Sequence, residues 1–116
     1  MSTYLKDMGL LTIQDATLSN VIGGCEDCET MYLFSNSQTS ASVGTITVQI
    51  SGIQNAATAT VNAWADLTSG GSDVTIAAGN ACPITDTGFY AIRVRSSGTE
   101  TPAISFRVVG RFKVGR

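Results

Sequence analysis

The alternation of apolar and polar residues is the feature of this sequence that most constrains the fold. In residues 45–51, TITVQIS, the apolar Ile46, Val48 and Ile50 alternate with polar residues, so they share one face of a β-strand. Related runs occupy 58–66, 72–79, 88–97 and 102–115, and turn-forming residues separate them. Short strand runs at this spacing, without a helical pattern between them, predict an all-β fold. The expected architecture is an antiparallel β-sandwich, immunoglobulin-like or similar.

The same alternation predicts which side chains face the core and which strands are neighbours. The predicted inward side chains of the last three runs are Val74 and Ile76, then Tyr90, Ile92 and Val94, then Ile104, Phe106, Val108, Phe112 and Val114. Residues 96–101, SSGTET, form a turn-rich link between the last two runs. This link predicts an antiparallel hairpin. Residues 30–35, TMYLFS, predict one further strand.

Residues 1–28 have a different character, because their short apolar pieces are broken by Gly, Asn and Ser. We expect an extended N-terminal arm at 1–28 and a β-sandwich domain at 29–116, which should fold without the arm. Leu5, Leu10, Leu11 and Ile13 are too apolar for a free tail. Two interpretations stay open: these side chains cover an open end of the sandwich, or they dock on a neighbouring subunit.

The absence of histidine excludes many kinds of enzyme. Of 116 residues none is His, so Ser-His-Asp and Cys-His nucleophilic systems cannot form. The sequence has no phosphate-binding glycine loop, dinucleotide fingerprint or calcium loop. It also lacks an apolar run long enough for a membrane span and a recognisable signal peptide. We therefore expect a non-enzymatic protein, made in a reducing cytoplasm, with no cofactor, no small-molecule substrate and no membrane partner.

The cysteines predict a structural turn better than a metal or redox centre. Cys25 and Cys28 form a C-x-x-C motif within GGCEDCET, and Cys82 is the third cysteine. A structural zinc site needs four ligands, and the sequence offers three thiols and no histidine. The flanking acidic residues should raise the thiol pKa, which opposes thiolate chemistry. We expect no bound metal and no required disulfide.

Basic residues are concentrated at the C-terminal end of the chain. Residues 1–90 hold one basic and eight acidic residues, whereas residues 91–116 hold six basic residues and one acidic residue. By alternation, five of these basic side chains should project from one outer surface, namely Arg93, Arg95, Arg107, Arg111 and Lys113. Because like charges on paired strands repel, this basic stripe suggests an acidic partner. An ordinary solvated sheet face is the other interpretation. The sequence pI of about 4.8 argues against nucleic acid.

Residues 45–114 resemble the small β-sandwich modules of tailed-phage virion proteins. The resemblance is carried by a Trp-bearing strand around Trp64, a Gly-rich turn and the strand GFYAIRVRSS. DTGFYAI, with Asp86, Gly88 and Tyr90, also resembles the tyrosine corner of immunoglobulin-like sandwiches, although Ile92 replaces the expected cysteine.

Among such modules, the chain most resembles a capsid decoration (cement) protein. That resemblance implies a location on the virion surface, the major capsid protein as partner, and a homo-oligomer, with a trimer favoured. The alternative is a tail, baseplate or fibre module that binds host glycans through Trp64 and Tyr90, unless those rings pack in the core. A secreted adhesin is a third class.

Overall fold

Ten β-strands form the regular structure in the computed structural model, which describes residues 2–35, 44–53, 63–69, 71–76, 81–85, 88–101 and 103–113. No helix occurs among these residues, so none of them belongs to a helix long and apolar enough to cross a membrane. The strands are β1 (Thr3–Ile13), β2 (Cys28–Ser35), β3 (Ile46–Ser51), β4 (Ala65–Asp66), β5 (Thr68–Ser69), β6 (Ser72–Asp73), β7 (Thr75–Ile76), β8 (Ala81–Ile84), β9 (Ala91–Ser96) and β10 (Ile104–Lys113).

The strands form two main antiparallel sheets and one small ribbon. The first sheet has the order β1-β10-β2-β8. In the second sheet, β3 pairs with β9 over six residues and with the short β4 and β7 over two residues each. Strands β5 and β6 form the ribbon. The predicted all-β antiparallel sandwich is therefore confirmed.

The hydrophobic core lies between the two sheets and contains the side chains that alternation predicts to face inward. From the first sheet it includes Met31 and Leu33 of β2, Cys82 and Ile84 of β8, and Ile104, Phe106, Val108 and Phe112 of β10. From the second sheet it includes Ile46, Val48, Ile76, Ile92 and Val94, with Ile50 and Val74 packed against it. Tyr90 is only half-buried. Val114, Asp86 and most of the run at 58–66 lie outside the described residues.

The predicted hairpin between the last two strands is wrong. Strand β9 pairs with β3 in the second sheet, whereas β10 lies between β1 and β2 in the first. The link between them crosses from one sheet to the other. Glu100 within this link is 1% exposed, and its carboxylate accepts hydrogen bonds from the Ser96 hydroxyl (2.6 Å) and the Gly44 amide (3.1 Å). Alternation predicts the face of each strand but not its neighbour, so a sheet-to-sheet crossing has the same sequence pattern as a hairpin.

Residues 2–28 lie along both sheets. Strand β1 pairs with β10 from Thr3–Lys113 to Ile13–Ile104. After a turn, residues 15–25 run beside β9, with backbone hydrogen bonds that include Ser19 N–H to Val94 O (3.0 Å) and Cys25 N–H to Tyr90 O (2.9 Å). The division into an arm at 1–28 and a sandwich domain at 29–116 stays a prediction. In the single chain, the segment adds backbone pairing to each sheet.

A β-bulge in β1 decides where its leucines point. Pairing shifts between Asp7 and Gly9. Gly9 has φ of 114°, a backbone conformation that L side chains rarely adopt, and the Asp7 carboxylate accepts the Gly9 N–H at 3.0 Å. Past the bulge, Leu11 and Ile13 face the core and are 0% exposed. One extra residue reverses the alternation, so Leu5 and Leu10 both lie on the outer side beside arginines of β10.

Candidate functional site

The predicted basic stripe is split between two surfaces. Arg93 and Arg95 lie on β9 of the second sheet, whereas Arg107, Arg111 and Lys113 lie on β10 of the first. In each strand, the basic residues alternate with buried side chains, so they point away from the core. Because the core separates the two sheets, the five charges project from opposite sides of the sandwich. The prediction that they share one surface is wrong, and their role in binding a partner stays a hypothesis.

Several of these basic groups already have partners within the chain. Three form ion pairs with carboxylates: Arg95 with Asp66 (3.3 Å), Arg107 with Asp7 (3.1 Å) and Lys113 with Glu29 (3.5 Å). In each pair at least one side chain is more than one-third exposed. Each pair therefore contributes only about 0.2–1 kcal/mol to the free energy of unfolding. The like-charge repulsion that suggested an external partner is thus relieved internally at these positions.

Arg93 and Trp64 belong to a polar network on the outer side of the second sheet. The Arg93 guanidinium lies 4.1 Å from the centroid of the Trp64 ring and donates to the Gln49 side chain at 2.8 Å. Gln49 donates in turn to Asp66 (2.9 Å). The pKa of Asp66 lies below its ordinary value, mainly because of this hydrogen bond from Gln49. The hydrogen bond and the positive charge of Arg95 lower it further. Trp64 is half-buried with Arg93 against its ring, an arrangement that differs from an open glycan platform.

The C-x-x-C motif forms a tight turn that leads into β2. The Cys28 N–H donates to Cys25 O (3.1 Å), the Cys25 thiol is directed at Ile22 O (3.6 Å) and the Cys28 thiol at Thr30 O (3.0 Å). Both cysteines and Cys82 are buried and unpaired. A Cβ on Gly110 would lie 2.9 Å from the Cys28 sulfur, so glycine in the central strand gives this thiol its space. The two acidic side chains of the turn, Glu26 and Asp27, are exposed.

Burial makes all three thiols poor nucleophiles. The pKa of the Cys25 thiol is raised to about 12, mainly by burial and to a smaller extent by the charges of Cys28 and Glu26. Burial also raises the pKa of Cys28, against hydrogen bonds from the backbone of Arg111 and Thr30, and burial alone raises that of Cys82. The prediction that the pKa values of Cys25 and Cys28 are raised is confirmed. The main cause is removal of the thiols from water, and the neighbouring acidic residues Glu26 and Glu29 contribute less. Among the described residues, no group of three or more potential ligands could hold a metal ion.

We expect the thiols of the folded single chain to resist alkylation. At pH 8, a thiol with a pKa near 12 is ionised in only about one molecule in 10⁴, whereas an ordinary cysteine is substantially ionised. Iodoacetamide should therefore label Cys25 only as fast as the chain unfolds, and it should label all three cysteines in denaturant. Intact-mass spectrometry provides the count. Rapid labelling of Cys25 in the folded chain would contradict its burial.

A cleft of about 830 Å³ lies beside the C-x-x-C turn. Its lining includes the stacked rings of Tyr4 and Phe112, whose centroids are 5.8 Å apart, and the Lys6 ammonium lies 5.9 Å from the Phe112 centroid. The other lining residues are Gly24, Glu26, Asp27, Cys28, Glu29 and Lys113. Carboxylates and ammonium groups are mixed here, so the charges favour neither an anionic nor a cationic small molecule.

The residues with candidate partner-binding roles divide into buried and exposed sets. Leu11 and Ile13 are core residues, whereas Leu5 is 57% and Leu10 42% exposed. Sequence reasoning did not single out Tyr32 and Phe34, whose rings stack at 6.4 Å on the same side of the first sheet as Leu10. The sequence could have indicated them, because Tyr32 and Phe34 alternate with Met31 and Leu33, which are buried. This alternation leaves the two aromatic rings facing outward.

The solved structures to which this chain is similar come from several kinds of protein. The carbohydrate-binding module CBM32-1 of a Clostridium perfringens family 31 glycoside hydrolase is 12% identical, with a TM-score of 0.54, over 96% of this chain and 94% of that one. The Bacillus endospore appendages, which form disulfide-linked pili, are 12% identical with a TM-score of 0.49 over 98% and 87%. The capsid of cyanophage Pam1 is 17% identical with a TM-score of 0.38 over 95% and 83%.

The sequence comparisons identify the family more specifically than these structures do. Likenesses at such low identity concern the fold alone, and no curated protein matches the sequence. The family model for endospore appendages, Enas, matches residues 5–114. That range extends from β1 through the last residue of β10 and so includes both sheets of the sandwich. The chain therefore belongs to the Enas family of endospore appendage proteins.

Proposed function

We propose that this chain is a structural subunit of an endospore appendage and that it assembles with other copies of itself. The observation that carries the proposal is the family match over 5–114. The fold supports it, because a rigid two-sheet sandwich with a continuous core is a suitable building block for an extended assembly. In this role, the residues on the outer surfaces matter for contacts between copies.

The proposal places the protein outside the spore. A subunit that is synthesised in the cytoplasm and then assembled on a surface needs outward groups that hold copies together. The described residues provide such groups in Leu5, Leu10 and Phe34, which are 57%, 42% and 43% exposed. The three buried, unpaired thiols support a subunit that folds with its cysteines reduced.

Decoration of a phage capsid is the alternative, with the major capsid protein as partner and a trimer as the expected form. It rests on the resemblance of residues 45–114 to virion modules, whereas the family match supports the appendage. The two functions require different geometries. A cement protein forms a closed oligomer of fixed size, whereas an appendage subunit makes contacts that continue from copy to copy.

The test is the size distribution of the purified chain as its concentration rises. We expect filaments in negative-stain electron micrographs and a mass by sedimentation that keeps growing with concentration. Antibodies against the chain should label appendages on spores of a host that encodes it. A single closed species at every concentration, with no labelling of spores, would contradict the proposed function. If that species were a trimer that bound phage heads, the capsid alternative would replace it.

A further inference from the structure

The outer face of the first sheet presents several exposed apolar side chains. Six large apolar side chains stand out as exposed among the described residues, and three of them, Leu5, Leu10 and Phe34, belong to β1 or β2 and point outward from this sheet. The pairing aligns Leu5, Arg111 and Thr30 in one row, Asp7, Val109 and Tyr32 in the next, and Leu10, Arg107 and Phe34 in a third. We call these nine residues the outer face.

The outer face has the composition of an interface core. Aromatic rings and arginines are enriched in protein–protein contacts, and this face presents Tyr32, Phe34, Arg107 and Arg111 together. The Tyr32 and Phe34 rings are held against each other at 6.4 Å, so they lose little freedom on binding. The bulge after Asp7 is what directs both Leu5 and Leu10 to this side, since residues five positions apart would otherwise lie on opposite faces.

Positive charge on the outer face is only partly matched within the chain. Arg111 donates to the Thr3 hydroxyl at 3.1 Å, and in the described part of the chain no carboxylate lies within ion-pairing distance of it. Arg107 pairs with Asp7, but both side chains are about half-exposed or more. A partner that carries carboxylates could therefore approach both guanidinium groups.

Exposed negative charge lies at the C-x-x-C turn, which leads into β2 and shares a cleft with Lys6 and Lys113. Glu26 and Asp27 are both exposed, and neither forms an ion pair with a described basic residue. The backbone bond from Cys28 N–H to Cys25 O fixes this turn, so the two carboxylates are presented by a tight, defined loop. A second copy of the chain therefore offers the charges that the outer face lacks.

We propose that the acidic turn of one copy, Glu26 and Asp27, docks on the outer face of the first sheet of the next copy. The proposal rests on the appendage function above and names a contact that would build it. The acidic turn and the outer face are two different patches, and the contact is heterologous when each copy uses its turn on one neighbour and its outer face on another. Repetition of a heterologous contact that does not close into a ring generates an open line of subunits. Arg111 and Arg107 meet the carboxylates, and Leu5, Leu10 and Phe34 are removed from water.

The test is a charge exchange between the two surfaces, read out as the concentration at which filaments form. The variant with Glu26→Lys and Asp27→Lys, and the variant with Arg107→Glu and Arg111→Glu, should each raise that concentration by about tenfold or more, because repulsion replaces attraction. A chain that carries all four substitutions should assemble again near the native concentration. Arg95→Glu, a basic-to-acidic change on the other sheet, is the control and should have a small effect.

A second pair of variants tests the apolar part and guards against misfolding. Phe34→Ser and Leu10→Ser should weaken assembly at every salt concentration, because burial of apolar surface is not screened. Circular dichroism and thermal melting verify that each variant is folded. If the native chain forms filaments and the charge variants assemble equally well, this contact is wrong while the proposed function stands. If the native chain forms none, the function and the contact fail together.

Discussion

A chain that lacks residues 1–13 is expected not to fold. Strand β1 forms one side of the first sheet and pairs with β10 along ten positions. It also contributes Leu11 and Ile13, both 0% exposed, to the core. Deleting two fully buried aliphatic residues costs about 2–5 kcal/mol each, and the whole domain has only about 5–15 kcal/mol of stability. Circular dichroism and tryptophan fluorescence should show an unfolded chain at 25 °C. This differs from the sequence-based expectation that the sandwich folds without residues 1–28.

Two adjacent leucines provide a matched control for that deletion. Leu11→Ala should lower the free energy of unfolding by about 2–5 kcal/mol, because the side chain is fully buried. Leu10→Ala should lower it by less than about 1 kcal/mol, because Leu10 is 42% exposed on the opposite side of the strand. Urea unfolding at a low protein concentration, where copies do not associate, gives both values. Equal losses of unfolding free energy in the two variants would contradict the placement of Leu11 in the core and Leu10 on the surface.

The inward face of each strand was predictable from the sequence, because burial imposes a period of two on the side chains. Ile46 and Val48 in β3, and Phe106 and Val108 in β10, are buried as alternation predicts. Such patterns arise locally, within single strands. Partner strands are chosen by long-range packing, and the pattern holds no information about them. The erroneous hairpin between β9 and β10 and the erroneous single basic surface, which places both strands on one side of the core, have this common cause.

The N-terminal segment was harder to predict for a different reason. The bulge between Asp7 and Gly9 interrupts the alternation, so the apolar positions Leu5, Leu10, Leu11 and Ile13 fit no single period. The breaks in the apolar pattern led to the expectation of an arm. One extra residue, stabilised by the Asp7 side chain and by the positive φ of Gly9, is enough to send two leucines outward and two side chains inward. The candidate interface depends on this local event.

The crossing between the two sheets should be the second most sensitive part of the fold, and Glu100→Ala is the substitution that tests it. The buried carboxylate accepts hydrogen bonds from the Ser96 hydroxyl and the Gly44 amide, and its backbone is paired with Asp15 and Ala16. It thus connects the end of β9, the start of β3 and the N-terminal segment. Alanine would remove the acceptor of the buried Ser96 hydroxyl and of the half-buried Gly44 amide, and the loss of a hydrogen-bond partner costs about 1–3 kcal/mol for a buried donor.

We therefore expect Glu100→Ala to lower the free energy of unfolding by about 2–4 kcal/mol, which is a large part of the stability of a small domain. Glu100→Gln is the matched control, because its amide oxygen keeps the shape and one acceptor, and it should lose clearly less. Position 44 itself has no room for a side chain. A Cβ there would lie 2.5 Å from the Ser97 hydroxyl and 2.6 Å from the Gly98 nitrogen. Urea unfolding of both variants measures the difference. If alanine and glutamine cost the same, the hydrogen bonds of Glu100 do not hold the crossing, and packing of the link alone must do so.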